Sequence, residues 1–104
     1  MTLKIKTSHR PLFGDGVVTI SNEGGHIVLE RELQMLGLVH CIDEYLRKVA
    51  SGKKKDVEKS FGSPKLWVSY NHMSMMIDTS RGRILIVSIS DALTLRRRLL
   101  RFLG

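Results

Sequence analysis

The chain has little cysteine, proline and tryptophan, and it has no long apolar run. Its 104 residues include one cysteine, two prolines and one tryptophan. The single thiol, Cys41, excludes a disulfide framework within one chain and leaves too few thiols for a cysteine-based zinc site. No apolar run approaches the roughly 18 residues that a membrane-spanning helix needs. The first residues also lack the apolar stretch of a secretory signal, so we expect a cytoplasmic protein that does not bind membranes.

Residue patterns typical of catalysis are also missing. The histidines stand at four separated positions: His9, His26, His40 and His72. Adjacent His40 and Cys41 would point about 100° apart on a helix, so they cannot hold one metal ion together. The glycines at 14–16 and 24–25 do not follow a phosphate-binding loop pattern. The sequence therefore predicts no enzyme, no metal and no cofactor.

The residues that are present suit one folded domain, which we expect to span residues 1–104. Apolar residues make up 42% and charged residues 26% of the chain, as in ordinary globular proteins. Alternation of apolar and polar side chains predicts strands; these lie at 2–7, 17–20, 26–29, 65–71, 73–78 and 84–89. A loop is predicted at 8–16. Tight turns are predicted at 22–25 and 79–82, with Gly82 expected to supply a positive φ.

Two segments have helical spacing. Apolar residues three and four apart predict a helix from 31 to 51, with Gly52 after its end and Gly37 packed closely against a neighbour. A second helix is predicted to start at an N-cap at Ser90 or Asp91. It would bury one stripe of side chains, formed by Ala92, Leu95, Leu99 and Leu103. Arg96 lies near this stripe and needs a partner.

These elements predict an α+β fold. We expect an antiparallel β-sheet of hairpins, one long central helix and a short C-terminal helix, because short turns between strands favour hairpins. The lysine-rich segment at about 52–64 is predicted to be a polar linker. Apolar surface in excess of what so short a chain can cover predicts a homodimer, formed through the hairpin of residues 73–89 or through the Leu95, Leu99 and Leu103 stripe.

Positive charge is concentrated in the second half of the chain. The formal net charge is +7, and residues 48–104 hold twelve basic and four acidic side chains. The basic residues form three clusters: Lys53, Lys54 and Lys55, extended by Lys59 and Lys65; Arg81 and Arg83; and Arg96, Arg97 and Arg98 with Arg101. Clustered lysine and arginine favour binding to phosphates, because each neutralised phosphate releases bound counterions. A solvated basic surface that only keeps the protein soluble is the alternative.

Trp67 adds to this hypothesis. It alternates with Leu66 and Val68 and shares a predicted strand face with Lys65 and Ser69. An exposed tryptophan beside basic residues is what base stacking requires, whereas a covered sheet face would make Trp67 part of the core. Both arrangements are compatible with the sequence.

The favoured interpretation is a non-enzymatic protein that binds single-stranded DNA or RNA with weak sequence preference. The arginines at 97, 98 and 101 are expected to face solvent. The alternative is a homo-oligomeric protein-interaction or structural module that does not bind nucleic acid. If the three basic clusters lie far apart in the folded chain, that alternative gains support.

Overall fold

The fold is α+β, with two antiparallel sheets and two helices. The structure, a computed structural model, describes residues 3–10 and 15–104. In chain order the elements are β1 (Lys4–Arg10), β2 (Asp15–Asn22), β3 (Gly25–Leu29), α1 (Glu32–Ser51), β4 (Val57–Phe61), β5 (Leu66–Tyr70), β6 (Met75–Thr79), β7 (Gly82–Ile86) and α2 (Ile89–Leu103). Thr2 and residues 11–14, which fall in the first predicted strand and in the predicted loop, lie outside the described residues.

The two sheets meet along a seam between β3 and β7. Strands β1–β2–β3 form one sheet and β4–β5–β6–β7 the other, each in chain order. At the seam, a methyl group on Gly82 would overlap the carbonyl oxygen of His26, and one on Gly25 would overlap that of Arg83. The prediction of a positive φ at Gly82 was wrong, since only Gly25, Gly52 and Gly62 have one among the described glycines. The lack of a side chain at Gly82 instead allows close approach of two backbones.

Helix α1 packs on β4 and β5 of the four-stranded sheet and beside α2. Gly52 ends it in the left-handed conformation, with its N–H bonded to the Lys48 carbonyl at 2.8 Å. Gly37 packs directly on the ring of Phe61 in β4. Both predictions are confirmed. Gln34 is buried and its Nε2 donates to the Pro64 carbonyl at 2.6 Å, which ties the β4–β5 turn to the start of α1.

Strand β4 lies within the segment that the sequence predicted to be a linker. Val57–Phe61 pairs in register with Leu66–Tyr70, so the linker prediction was wrong over these five residues. The sequence of this strand is largely polar because the strand lies at the edge of the sheet. Its outward residues are exposed and its inward residues only half-buried.

The N-cap of helix α2 lies two residues before Ser90 and three before Asp91, the two predicted positions. Ser88 is the N-cap, and its hydroxyl accepts a bond from the Asp91 N–H at 3.3 Å. The predicted apolar stripe is buried at Ala92, Leu95 and Leu99 and half-buried at Leu103. Because that stripe is covered within the chain, it is not a free surface for self-association. No helix in the described part of the chain combines the length and apolarity that crossing a bilayer requires.

Candidate nucleic-acid interface

Trp67 lies on the outer face of the four-stranded sheet. Its neighbours Leu66 and Val68 point into the core and are fully buried, whereas Trp67 is 40% exposed. The period-2 alternation of β5 therefore places the indole in solvent. Of the two arrangements that the sequence allowed for Trp67, the exposed one is observed.

The side chains around Trp67 come from all four strands of that sheet. Ser60 of β4 and Asp78 of β6 lie directly opposite Trp67 in the strand pairing. Asp78 in turn pairs with Arg83 of β7, whose Nη2 donates to the Asp78 carboxylate at 2.9 Å. This bond holds one guanidinium on the same face, one strand beyond Asp78. Leu85, also exposed, extends the face away from the turn.

Two further cations meet at one end of the four-stranded sheet, in a cavity that also borders Val28 of β3 and Gln34 of α1. Lys65 and Arg81 line this cavity of about 140 Å³ together with the hydroxyl-bearing Thr79 and Ser80. They meet because the β4–β5 and β6–β7 turns lie at the same end of the sheet. Two cations and the Ser80 hydroxyl can hold an anionic oxygen cluster such as a phosphate, whereas the Thr79 hydroxyl already donates to the Gly82 carbonyl at 3.1 Å. Glu30 also lines the cavity and limits its net positive charge.

We name Lys65, Trp67, Arg81 and Arg83 the sheet-face cluster. Lys65 and Arg81 share the cavity, and Trp67 and Arg83 are separated by Asp78 on the outer face, so the fold places these four sequence-predicted residues near one end of the sheet.

The lysines at 53–55 are not part of this cluster. They follow the C-terminus of α1, and the 20 residues of this helix span about 30 Å. Gln34, near its start, bonds the Pro64 carbonyl, whereas Glu44, further along, bonds Tyr70 at the other end of β5. Lys53, Lys54 and Lys55 are exposed at the end of the molecule opposite the cavity.

The arginines of α2 form a third, separate group. Arg97 and Arg101 are exposed, as predicted. Arg98 is half-buried and its Nη2 donates to the Ile5 carbonyl at 3.3 Å, so the prediction that it faces solvent was wrong. It is drawn inward because the edge strand β1 leaves a carbonyl without a neighbouring strand.

The sequence interpretation missed two basic residues near Arg98. Lys4 and Lys6 flank Ile5 on β1 and are both exposed. The alternation with Leu3 and Ile5 predicts that Lys4 and Lys6 share the outer face of β1, but the predicted basic clusters did not include them. With Arg98 and Arg101, they make the β1 edge a second basic surface.

A polar cluster joins α1 to β4 and β5. Lys59 Nζ donates to both carboxylate oxygens of Glu44, at 2.9 and 3.0 Å. The hydroxyl of buried Tyr70 donates to the same carboxylate, and His40 Nε2 lies 3.0 Å from it. The hydrogen bond from Lys59 lowers the pKa of Glu44 below its usual value of 4.5. Because its groups satisfy one another, we assign this cluster a structural role.

Cys41 is expected not to react in the folded protein. Its side chain is fully buried and free, and burial raises its pKa to about 11. Since the thiolate is the reactive form, a colorimetric thiol reagent at pH 8 should label the native chain far more slowly than the chain in 6 M guanidinium, about a hundredfold or more by thiolate fraction. Equal labelling rates in the two states would contradict this burial.

Comparisons with known proteins add no assignment to this geometry. Among the described residues, no group of three or more histidine, cysteine, aspartate or glutamate side chains could hold a metal ion. No protein-family model matches the chain, and neither a curated protein nor a solved structure matches it.

Proposed function

We propose that this protein binds single-stranded DNA or RNA, without catalysing a reaction, through the outer face of its four-stranded sheet. The observation that carries the proposal is an exposed Trp67 on an outer face shared with Arg83, at the end of the sheet where Lys65 and Arg81 line a cavity. The protein has a free, buried thiol at Cys41. Because thiols stay reduced in the cytoplasm, we propose that the protein is cytoplasmic.

The proposed mechanism separates stacking from charge. A base stacks on the Trp67 indole, which is sequence-tolerant because every base has a flat π-face. The neighbouring phosphates lie at the cavity between Lys65 and Arg81, and Arg83 supplies a further cation already oriented by Asp78. The lysines at 53–55 lie too far away to share that contact and would meet only a longer strand.

Replacing Trp67 with alanine is expected to weaken binding about 5- to 150-fold, the loss of one base-stacking contact. Fluorescence anisotropy with a labelled 12-nucleotide oligothymidylate and oligouridylate at low salt measures this loss. Because Trp67 is on the surface, the melting temperature should stay near that of the wild type, and Trp67→Phe should retain most of the affinity. Wild-type affinity in the alanine variant would refute stacking at this position.

A charge comparison tests the location of the site. Arg81→Ala should weaken binding to every sequence and reduce the slope of log K against log[salt] by about one. The matched control is Arg97→Ala, which removes an exposed arginine from α2, away from the sheet-face cluster. If both variants lose the same affinity, binding follows net charge and the proposed site is incorrect.

A protein-interaction module without nucleic-acid binding is the second candidate. It is favoured by the separation of the basic residues into three places, which argues against one continuous groove. It predicts no change in anisotropy with either oligonucleotide at low salt.

A further inference from the structure

A carboxylate lies among the cations of the cavity. Glu30 directly follows β3, whereas Lys65 and Arg81 come from the β4–β5 and β6–β7 turns. Strand alternation places the Glu30 side chain on the same face as Val28, which also lines the cavity. A carboxylate repels a neighbouring phosphate, so by charge alone Glu30 opposes the binding that the two cations favour.

The Glu30 carboxylate is not neutralised by either cation. Within the part of the chain that the structure describes, it takes part in no ion pair and accepts no hydrogen bond. Its backbone is fixed, because the Glu30 N–H donates to Oε1 of buried Gln34 at 3.1 Å. A carboxylate on a fixed backbone, with its acceptor oxygens unused, is available to a ligand in the cavity.

The size of the cavity restricts what that ligand is. Its volume is about 140 Å³, whereas pockets that enclose a whole small molecule measure roughly 300–1,000 Å³. The cavity can hold a phosphate group and the edge of the adjoining sugar, whose carbon atoms suit the apolar surfaces of Val28 and Pro64. It therefore contacts the backbone of a bound strand and not its bases.

The backbone of a nucleic acid offers few hydrogen-bond donors to a carboxylate. Inside a strand the 3′ and 5′ oxygens of the sugar are esterified, and the phosphate oxygens are acceptors. The 2′-hydroxyl of ribose is both a donor and an acceptor, and deoxyribose lacks it. An ionised carboxylate only accepts hydrogen bonds. Beside a bound phosphate, Glu30 can therefore make a favourable contact with RNA but only a repulsive one with DNA.

We infer that Glu30 makes this cavity selective for single-stranded RNA over DNA. Its carboxylate accepts a hydrogen bond from the 2′-hydroxyl of a nucleotide whose phosphate lies at Lys65 and Arg81. This inference rests on the proposed nucleic-acid binding and names RNA as its substrate. Stacking on Trp67 does not distinguish the two nucleic acids, because both present flat bases. Discrimination therefore depends on the cavity.

Fluorescence anisotropy with three strands of the same length and base tests the inference at one low salt concentration. The strands are oligouridylate, oligodeoxyuridylate and 2′-O-methyl oligouridylate, which keeps the sugar oxygen but has no donor. The wild type should bind oligouridylate about tenfold more tightly than either of the others, the effect of one hydrogen bond to a charged group. Equal affinity for oligouridylate and either of the other strands would overturn the inference and leave the proposed function intact. No binding of any strand would refute the proposed function itself.

Glu30→Ala tests which residue is responsible. It removes the acceptor and its repulsion together, so the preference for oligouridylate over oligodeoxyuridylate should be lost. The matched control is Glu32→Ala, which removes the same charge from an exposed position outside the cavity. This control should strengthen binding of both strands by the same factor and keep the preference. If Glu30→Ala also changes both affinities by the same factor, Glu30 acts through charge alone and the inference is wrong. Circular dichroism melts should show both variants folded, since both side chains are exposed.

Discussion

Alanine at Gly82 is expected to lower the free energy of unfolding by about 3 kcal/mol, the upper part of the range for forcing an extra methyl group into packed structure. The methyl group would overlap the backbone carbonyl oxygen of His26 across the β3–β7 seam. A backbone atom in a paired strand cannot rotate away as the end of a side chain can. The two sheets would have to separate locally, which also lengthens the bond between Asn22 Nδ2 and the Leu85 carbonyl, now 2.9 Å. Urea denaturation followed by circular dichroism measures the change.

Gly24→Ala is the control for this substitution. Gly24 lies in the neighbouring β2–β3 turn without a positive φ, and the nearest atom to an added methyl group is Asn22 Oδ1 at 3.5 Å. That distance is ordinary contact, so the expected change is within about 0.5 kcal/mol. Similar destabilisation by the two variants would show that the turn, and not the seam, is sensitive.

The parts of the fold that local periodicity determines could be predicted from the sequence. Helix α1 was predicted to within one residue because apolar spacing, a glycine after the last turn and the dipole-compatible charges all agree. The inward positions of β5 to β7 follow from their strict alternation. The same alternation placed Trp67 opposite its buried neighbours, although it could not reveal whether a second layer covers that face.

The parts that depend on distant contacts could not be predicted in this way. The local pattern predicted a positive φ at Gly82. The contact that requires a glycine there is with His26, 56 positions away, and no local pattern reveals it. Strand β4 was missed because Lys59 occupies one of its inward positions. A lysine can occupy this position because its ammonium group donates to the Glu44 carboxylate on α1, which balances its charge. The separation of the three basic clusters likewise depends on tertiary structure, because it is set by the turns that lie at the same end of the sheet. No local sequence pattern indicates which turns these are.

The Glu44 cluster leads to the second large expected effect. Glu44→Gln keeps the shape of the side chain but removes the charge that Lys59 and Tyr70 donate to. A hydrogen bond to a charged group contributes about 1.5–3 kcal/mol to stability. We therefore expect Glu44→Gln to lower the free energy of unfolding by about 2 kcal/mol at pH 7. Chemical denaturation of both proteins between pH 7 and pH 3 measures the difference.

The difference between wild type and Glu44→Gln should depend on pH in a defined direction. The hydrogen bond from Lys59 holds the pKa of Glu44 below 4.5 in the folded chain. A carboxyl group whose pKa is lower in the folded chain stabilises the fold at any pH above its unfolded-state pKa. This stabilisation is lost as the pH falls through its folded-state pKa. The two stability curves should therefore converge in acid. Glu58 lies on the exposed side of β4, the strand that carries Lys59. The free energy of unfolding of Glu58→Gln should therefore stay within about 0.5 kcal/mol of the wild type at every pH. A constant gap between wild type and Glu44→Gln down to pH 3 would show that shape at position 44, rather than its charge, secures β4 and β5 to the helix.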